Sequence, residues 1–157
     1  MNSIQHEELA ALHRFWQGLS KDGRLPARHD FLAEDLADWI GHISLLEVER
    51  DPLRFRFVLH GGHFTLLSGL SLVGRYLEEG LTPRYRDEVL ACYREAVETR
   101  QAVYRHYSDH SLPWRELDRV ILPLADDGVT VDRVMVGLYT LADPPSQGGS
   151  RLLSRRN

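Results

Sequence analysis

The sequence predicts a single α+β domain built on an antiparallel sheet. Three observations carry that prediction. Arg54 to His60 alternates arginine and phenylalanine with the period of two that marks a half-buried strand. Helical periodicity marks two long segments, one near the N-terminus and one opened by Thr82-Pro83. Five strand-like runs fall in two groups, two before the second helix and three after it, with turn chemistry inside each group.

In Glu8 to Leu19, the residues Leu9, Leu12, Phe15, Trp16 and Leu19 recur at helical spacing. Lys21 to Arg24 ends that helix, and Pro26 forces Leu25 into an extended conformation. Asp30 is placed to cap a short helix from Phe31 to Trp39. Ile43 to Glu49 and Arg54 to His60 are expected to form a hairpin around Asp51-Pro52. The second strand breaks at Gly61-Gly62, and a short apolar segment leads into a turn holding Gly69 and Gly74. That layout places short helices over the mouth of a sheet, where sensor domains often hold small-molecule pockets. Thr82 is expected to cap a helix running to about Thr99, with Pro83 at its first position and Val89, Leu90, Tyr93, Ala96 and Val97 on one face. Strands are expected from Ala102 to Tyr107, from Glu116 to Leu124, and, after the Asp126-Asp127-Gly128 turn, from Val129 to Leu141 as the longest. One domain therefore spans 1–142, its N-terminal helix at about 8–20, and 143–157 is expected to be a mobile tail carrying Arg151, Arg155 and Arg156.

The length of 157 residues suits one domain with its own core. A net charge of −4 argues against a nucleic-acid-binding module, which needs a clustered basic face. Cys92 is the only cysteine, so no disulfide forms within the chain, and a reducing cytoplasm is expected. The N-terminal residues lack the basic start and apolar centre of a signal peptide, so none is expected, and no apolar run approaches the roughly 20 residues that span a bilayer.

Candidate chemistry is sparse. His60-x-x-His63 and His106-x-x-x-His110 offer imidazoles, yet neither pair comes with a cysteine or carboxylate at a recognised metal spacing, so no metal is assigned. Cys92 sits on a helix without a local basic group to activate it. There is no nucleophile elbow and no phosphate loop, and Gly61-Gly62 is followed by His63-Phe64 rather than by a cyclase signature. No catalytic residue is assigned, and an enzyme is not expected. The aromatic residues Phe57, Phe64, Tyr93, Tyr104, Tyr107 and Trp114 are candidates for the walls of a pocket, with His60, His63, His106 and Arg119 as its polar members. Leu12, Phe15, Trp16 and Leu19 make the first helix greasy enough to form a dimer interface or to cover its own sheet.

Order and spacing of several short motifs complete the picture. Phe15-Trp16 in the first helix is followed by Leu25, Pro26, Arg28 and Asp30, then by Glu47-Val48 ending an apolar strand. Phe55, Phe57, Leu59 and Gly61 come next, then Gly69 to Gly74 with Arg75, and finally Leu122, Pro123, Leu124, Asp127 and Gly128. From about Leu12 to Leu141 the chain resembles a family of small bacterial proteins built on a PAS-type sensor domain. The resemblance implies a PAS-like five-stranded antiparallel sheet with helices on one face and an N-terminal helical extension. It departs from the family pattern at Val58, Gly62, Ser71 and Val73, where relatives carry arginine, threonine, aspartate and threonine; it also lacks the Asn-Cys-Arg-Phe run of flavin-binding light sensors. The resemblance implies a stand-alone sensor or adaptor that binds a small molecule, forms a homodimer and contacts a signalling partner, with no nucleic acid or membrane involved. The cofactor is left open. Two alternatives stand beside this reading: a ligand-free interaction scaffold with a filled core, and an enzyme on a cone-shaped α+β fold using His60, His106 and a carboxylate.

Overall fold

A computed structural model describes residues 3–112 and 114–140. Helix α1 (Glu7–Leu19) is followed by two 3-10 turns, Arg28–Asp30 and Ala33–Trp39, and by the hairpin strands β1 (Ile43–Glu49) and β2 (Arg54–His60). The crossover holds α2 (Gly62–Ser68), the 3-10 turns Leu77–Gly80 and Pro83–Tyr85, and α3 (Arg86–Thr99). Strands β3 (Val103–Ser108), β4 (Glu116–Leu124) and β5 (Arg133–Thr140) close the sheet in the order β2-β1-β5-β4-β3, antiparallel throughout.

Alternation along the strands separates two cores. Phe55 and Phe57 of β2, Val103 of β3, Leu117 and Ile121 of β4 and Val134, Val136 and Leu138 of β5 face α3, which answers with Val89, Cys92, Tyr93 and Ala96. Leu45, Tyr104, Val120, Leu122, Leu124 and Met135 face the other way, toward α1, Phe31, Leu36 and Trp39. The sheet is thus buried on both faces, by the crossover helices on one side and by the N-terminal extension on the other.

Two glycines set close approaches. A Cβ at Gly137 would lie 2.7 Å from Leu9 Cδ2 and 3.0 Å from Leu12 Cδ2, so its absence lets α1 rest against the backbone of β5. A Cβ at Gly61 would lie 2.5 Å from the Gly41 carbonyl oxygen, which fixes the sharp exit from β2. Trp16 Nε1 donates to the Pro123 carbonyl at 2.9 Å, and Trp39 Nε1 donates to the Glu8 carbonyl at 2.8 Å, so both indoles pin α1 to its own domain.

Several expectations need correction. Asp30 does not cap the helix after it: it ends the first 3-10 turn, and its carboxylate accepts from the Ala27 N–H upstream at 2.9 Å. The Thr82 side chain makes no capping bond, because the chain first forms a 3-10 turn and α3 begins at Arg86. Val129 to Asp132 belongs to the turn, where the Asp127 carboxylate accepts from the N–H groups of Val129 and Thr130 at 2.8 Å each. This shortens β5 to eight residues, against nine in β4. Residue 141 and the segment 143–157, with its arginines, lie outside the described residues.

Candidate functional site

A cavity of about 120 Å³ lies between the sheet and the crossover. Its floor is the α3-facing side of the strands: Phe57 from β2, Leu138 from β5, Leu117 and Arg119 from β4, and Tyr107 from β3. Its roof is a ladder at four-residue spacing, Leu77, Leu81, Tyr85, Val89 and Tyr93, running unbroken through two 3-10 turns into α3. His60, Phe64 and Trp114 complete its lining.

The polar groups of this cavity are few. His60 packs edge-on to Phe57 with ring centroids 4.9 Å apart, and its Nδ1 lies 3.3 Å from both the Leu72 N–H and Thr65 Oγ1. Burial lowers the pKa of its ring, which keeps the imidazole neutral at pH 7. Burial likewise pushes the Tyr93 hydroxyl up to about 12, so it stays a neutral donor. Tyr107 is raised by the same cause. Arg119 is only 9 % exposed, and its Nε and Nη1 are buried without a hydrogen-bond partner among the described residues. The nearest compensation is the Tyr107 ring, whose centroid lies 5.6 Å from the guanidinium carbon.

Over the roof, the Pro83–Tyr85 turn is latched to the segment after β3. The Tyr85 hydroxyl donates to Asp109, and Arg84 pairs with the same carboxylate at 3.1 Å. Hydrogen bonds from Ser111 and then from Tyr85 hold the Asp109 carboxyl down at about 2.

Phe57, His60, Phe64, Tyr93 and Arg119 therefore share one cavity, and Tyr107 and Trp114 join them. Tyr104 and His106 do not. They sit one residue out of phase with Tyr107, so their side chains leave the opposite face of the sheet, where both contact Asp118. His63 is also elsewhere: it is 3.2 Å from Thr140 Oγ1, and its ring packs 4.6 Å from His42, which stacks on Tyr139. Leu12 and Trp16 are buried in the core beneath α1, and Phe15 and Leu19 pack half-buried against it.

The sequence matches the PAS domain family over residues 4–140. The chain belongs to the PAS domain family. It is accordingly a domain of the sensory signalling type. Among solved structures, it is similar to a sensory box sensor histidine kinase from Vibrio cholerae at 16% identity and TM-score 0.48, covering 90% of this chain and 100% of that one. It is similar at 13% identity and TM-score 0.48 to a domain of an HTR-like protein from Haloarcula marismortui, covering 64% of this chain and 98% of the other. The PAS domain of a histidine kinase matches at 16% identity and TM-score 0.45, covering 62% and 97%. No curated protein matches the sequence.

Within the PAS frame the histidine-based alternatives can be placed. His106 does meet a carboxylate, Asp118, at 3.0 Å, but on the α1-facing side of the sheet and away from the cavity. Among the described residues no histidine–carboxylate pair forms inside the cavity, and no group of ligating side chains gathers to hold a metal ion. A haem or a flavin does not fit 120 Å³, well below the roughly 300 Å³ of a pocket for a drug-sized ligand. No helix among the described residues is long and apolar enough to cross a membrane.

The roof ladder is the part of the site that sequence reasoning missed. Leu77 and Leu81 precede the Thr82-Pro83 helix start, in a stretch to which the sequence reading gives no element. Their spacing of four from Tyr85, Val89 and Tyr93 is the signal that identifies them.

Proposed function

We propose that this PAS domain is a non-catalytic cytoplasmic sensor that binds a small, mainly apolar molecule in the cavity under α3. Output passes by contact with a protein partner. The observation that carries the reading is the cavity itself: aromatic walls on both floor and roof, with a few polar groups converging on it. Occupancy favours the conformer in which the roof is seated, and so shifts the population of the Leu77–Gly80 and Pro83–Tyr85 turns and of α3. Leu12 and Trp16 cannot serve a homodimer without opening the core, so self-association or partner contact falls to other surfaces.

Native mass spectrometry of the full chain tests this reading. A retained small molecule, released on denaturation and absent from a Val89→Phe variant that fills the roof, is the expected result. No retained molecule, together with no thermal shift from any small apolar compound, favours the filled interaction scaffold instead.

A further inference from the structure

Arg119 is the anomaly of this cavity. Several other arginines find carboxylates: Arg54 with Glu78, Arg56 with Glu47 and Glu49, Arg84 with Asp109, Arg105 with Glu95, Arg133 with Asp126 and Asp132. Arg100, whose Nε is also buried without a partner among the described residues, still donates through Nη2 to the carbonyls of Gly23 and Gly128. Arg119 is 9 % exposed and lines the cavity, and neither Nε nor Nη1 has a partner. A guanidinium cannot discharge itself by losing a proton. Its position is also fixed: the residue sits in β4, paired with Leu138 on one side and on the other with Arg105, whose own charge is met by Glu95.

Resting on the reading of the cavity as a ligand site, we infer that its ligand is a small monocarboxylate whose carboxylate is received by Arg119 and whose apolar body lies against the aromatic walls. Charge selects the head group. Among the described residues Arg119 is the one fixed cation lining the cavity, and burial keeps His60 neutral. A monoanion is matched, whereas a phosphate monoester would leave a charge uncompensated in a buried site. Chemistry agrees, because a carboxylate forms strong charge-assisted hydrogen bonds with a guanidinium. Volume selects the body. At about 120 Å³ the space is close to the ~150 Å³ of an engineered apolar cavity that takes up benzene, which limits the ligand to roughly one ring or a short branched chain.

The test uses the full chain, titrated calorimetrically with benzoate, phenylacetate and hexanoate and with their amides, in wild type and in Arg119→Gln and Arg119→Lys. At least one acid is expected to bind ten times or more tightly than its amide. Arg119→Gln should weaken that acid by about 10- to 100-fold and abolish the preference, the range that charge-assisted hydrogen bonds supply. Arg119→Lys, which keeps the charge and loses the fork, should fall between, and circular dichroism checks that each variant is folded. Amides that bind as well as the acids, or acids indifferent to Arg119→Gln, would overturn the inference while leaving the cavity a ligand site. If none of the six compounds binds, the molecule retained in native mass spectrometry decides: an acid upholds the inference and a neutral compound overturns it. If nothing binds and nothing is retained, the ligand-site reading falls together with it.

Discussion

Replacing Arg119 by methionine should make the ligand-free protein more stable, and the size of the gain follows from the site. Two buried donors, Nε and Nη1, lack partners. Each such group costs about 1–3 kcal/mol, and more when charged. Methionine keeps most of the apolar stem and removes both donors. It also forfeits the Tyr107 contact at 5.6 Å, which contributes about 0.5–2 kcal/mol. The balance is a stabilisation of about 2 kcal/mol, within the ~1–4 kcal/mol seen when buried charges give way to hydrophobes. For a domain of this size that raises Tm by about 4–8 °C. The assay is urea unfolding at pH 7 on protein refolded from a denaturing purification, with an unchanged slope as the two-state check. A bound carboxylate at 100 times its Kd should then stabilise wild type by about 2.7 kcal/mol and leave the variant where it was, so the two midpoints converge. A variant less stable than ligand-free wild type would refute the argument, since it would show that Arg119 is satisfied within the fold.

Trp16→Ala should cost about 3–5 kcal/mol of stability with no change in the mass found by light scattering; loss of a dimer at unchanged stability would show that the indole belongs to an interface. His60, its pKa lowered by burial, binds fewer protons folded than unfolded below pH 6.5, so its contribution is present above 6.5 and declines as pH falls toward the lowered value. A His60→Asn variant should flatten that part of the urea-midpoint profile between pH 7.5 and 5, whereas parallel profiles would exclude His60 as the source. Asp109→Asn should release the Tyr85 and Arg84 latch and speed amide exchange at residues 83–85. In wild type the Asp109 contribution is complete above pH 3.8 and is lost as pH falls through about 2, so latch protection that vanishes already at pH 5 would contradict the assignment.

The strands were legible because their signals are local. Ile43–Glu49 is an apolar run, Arg54–His60 alternates, Glu116–Leu124 leads into a turn, and the structure places all three at the expected bounds. Helix ends were less legible. Whether Thr82 opens an α-helix or a 3-10 turn depends on how the roof seats over Tyr107 and Trp114, which no local pattern states. The site was half legible. Phe57, His60, Phe64, Tyr93 and Arg119 converge because each lies on the α3-facing side of its element. Tyr104 and His106 were grouped with them by type, and only the pairing of Tyr107 with Leu117 settles the phase of β3. Likewise Leu12 and Trp16 suit either an interface or a cover for their own sheet by pattern alone, and their burial against its back supplies the cover.

That phase has a consequence for how this gene can change. In β3 and β4 each peptide step switches a side chain between the cavity and the layer beneath α1. A single-codon deletion within Glu116–Leu124 would carry one cluster to the other side, placing Asp118 or Val120 where Arg119 stands and turning a charge toward Leu12. Such lesions should be absent from any surviving library, however conservative the flanking residues. The turn at 126–132 lies outside the paired residues, yet it buries Val131 and holds Leu25 and Arg100 through the Gly128 carbonyl, so it should tolerate insertions little better. Length, more than residue identity, is the property this sheet guards.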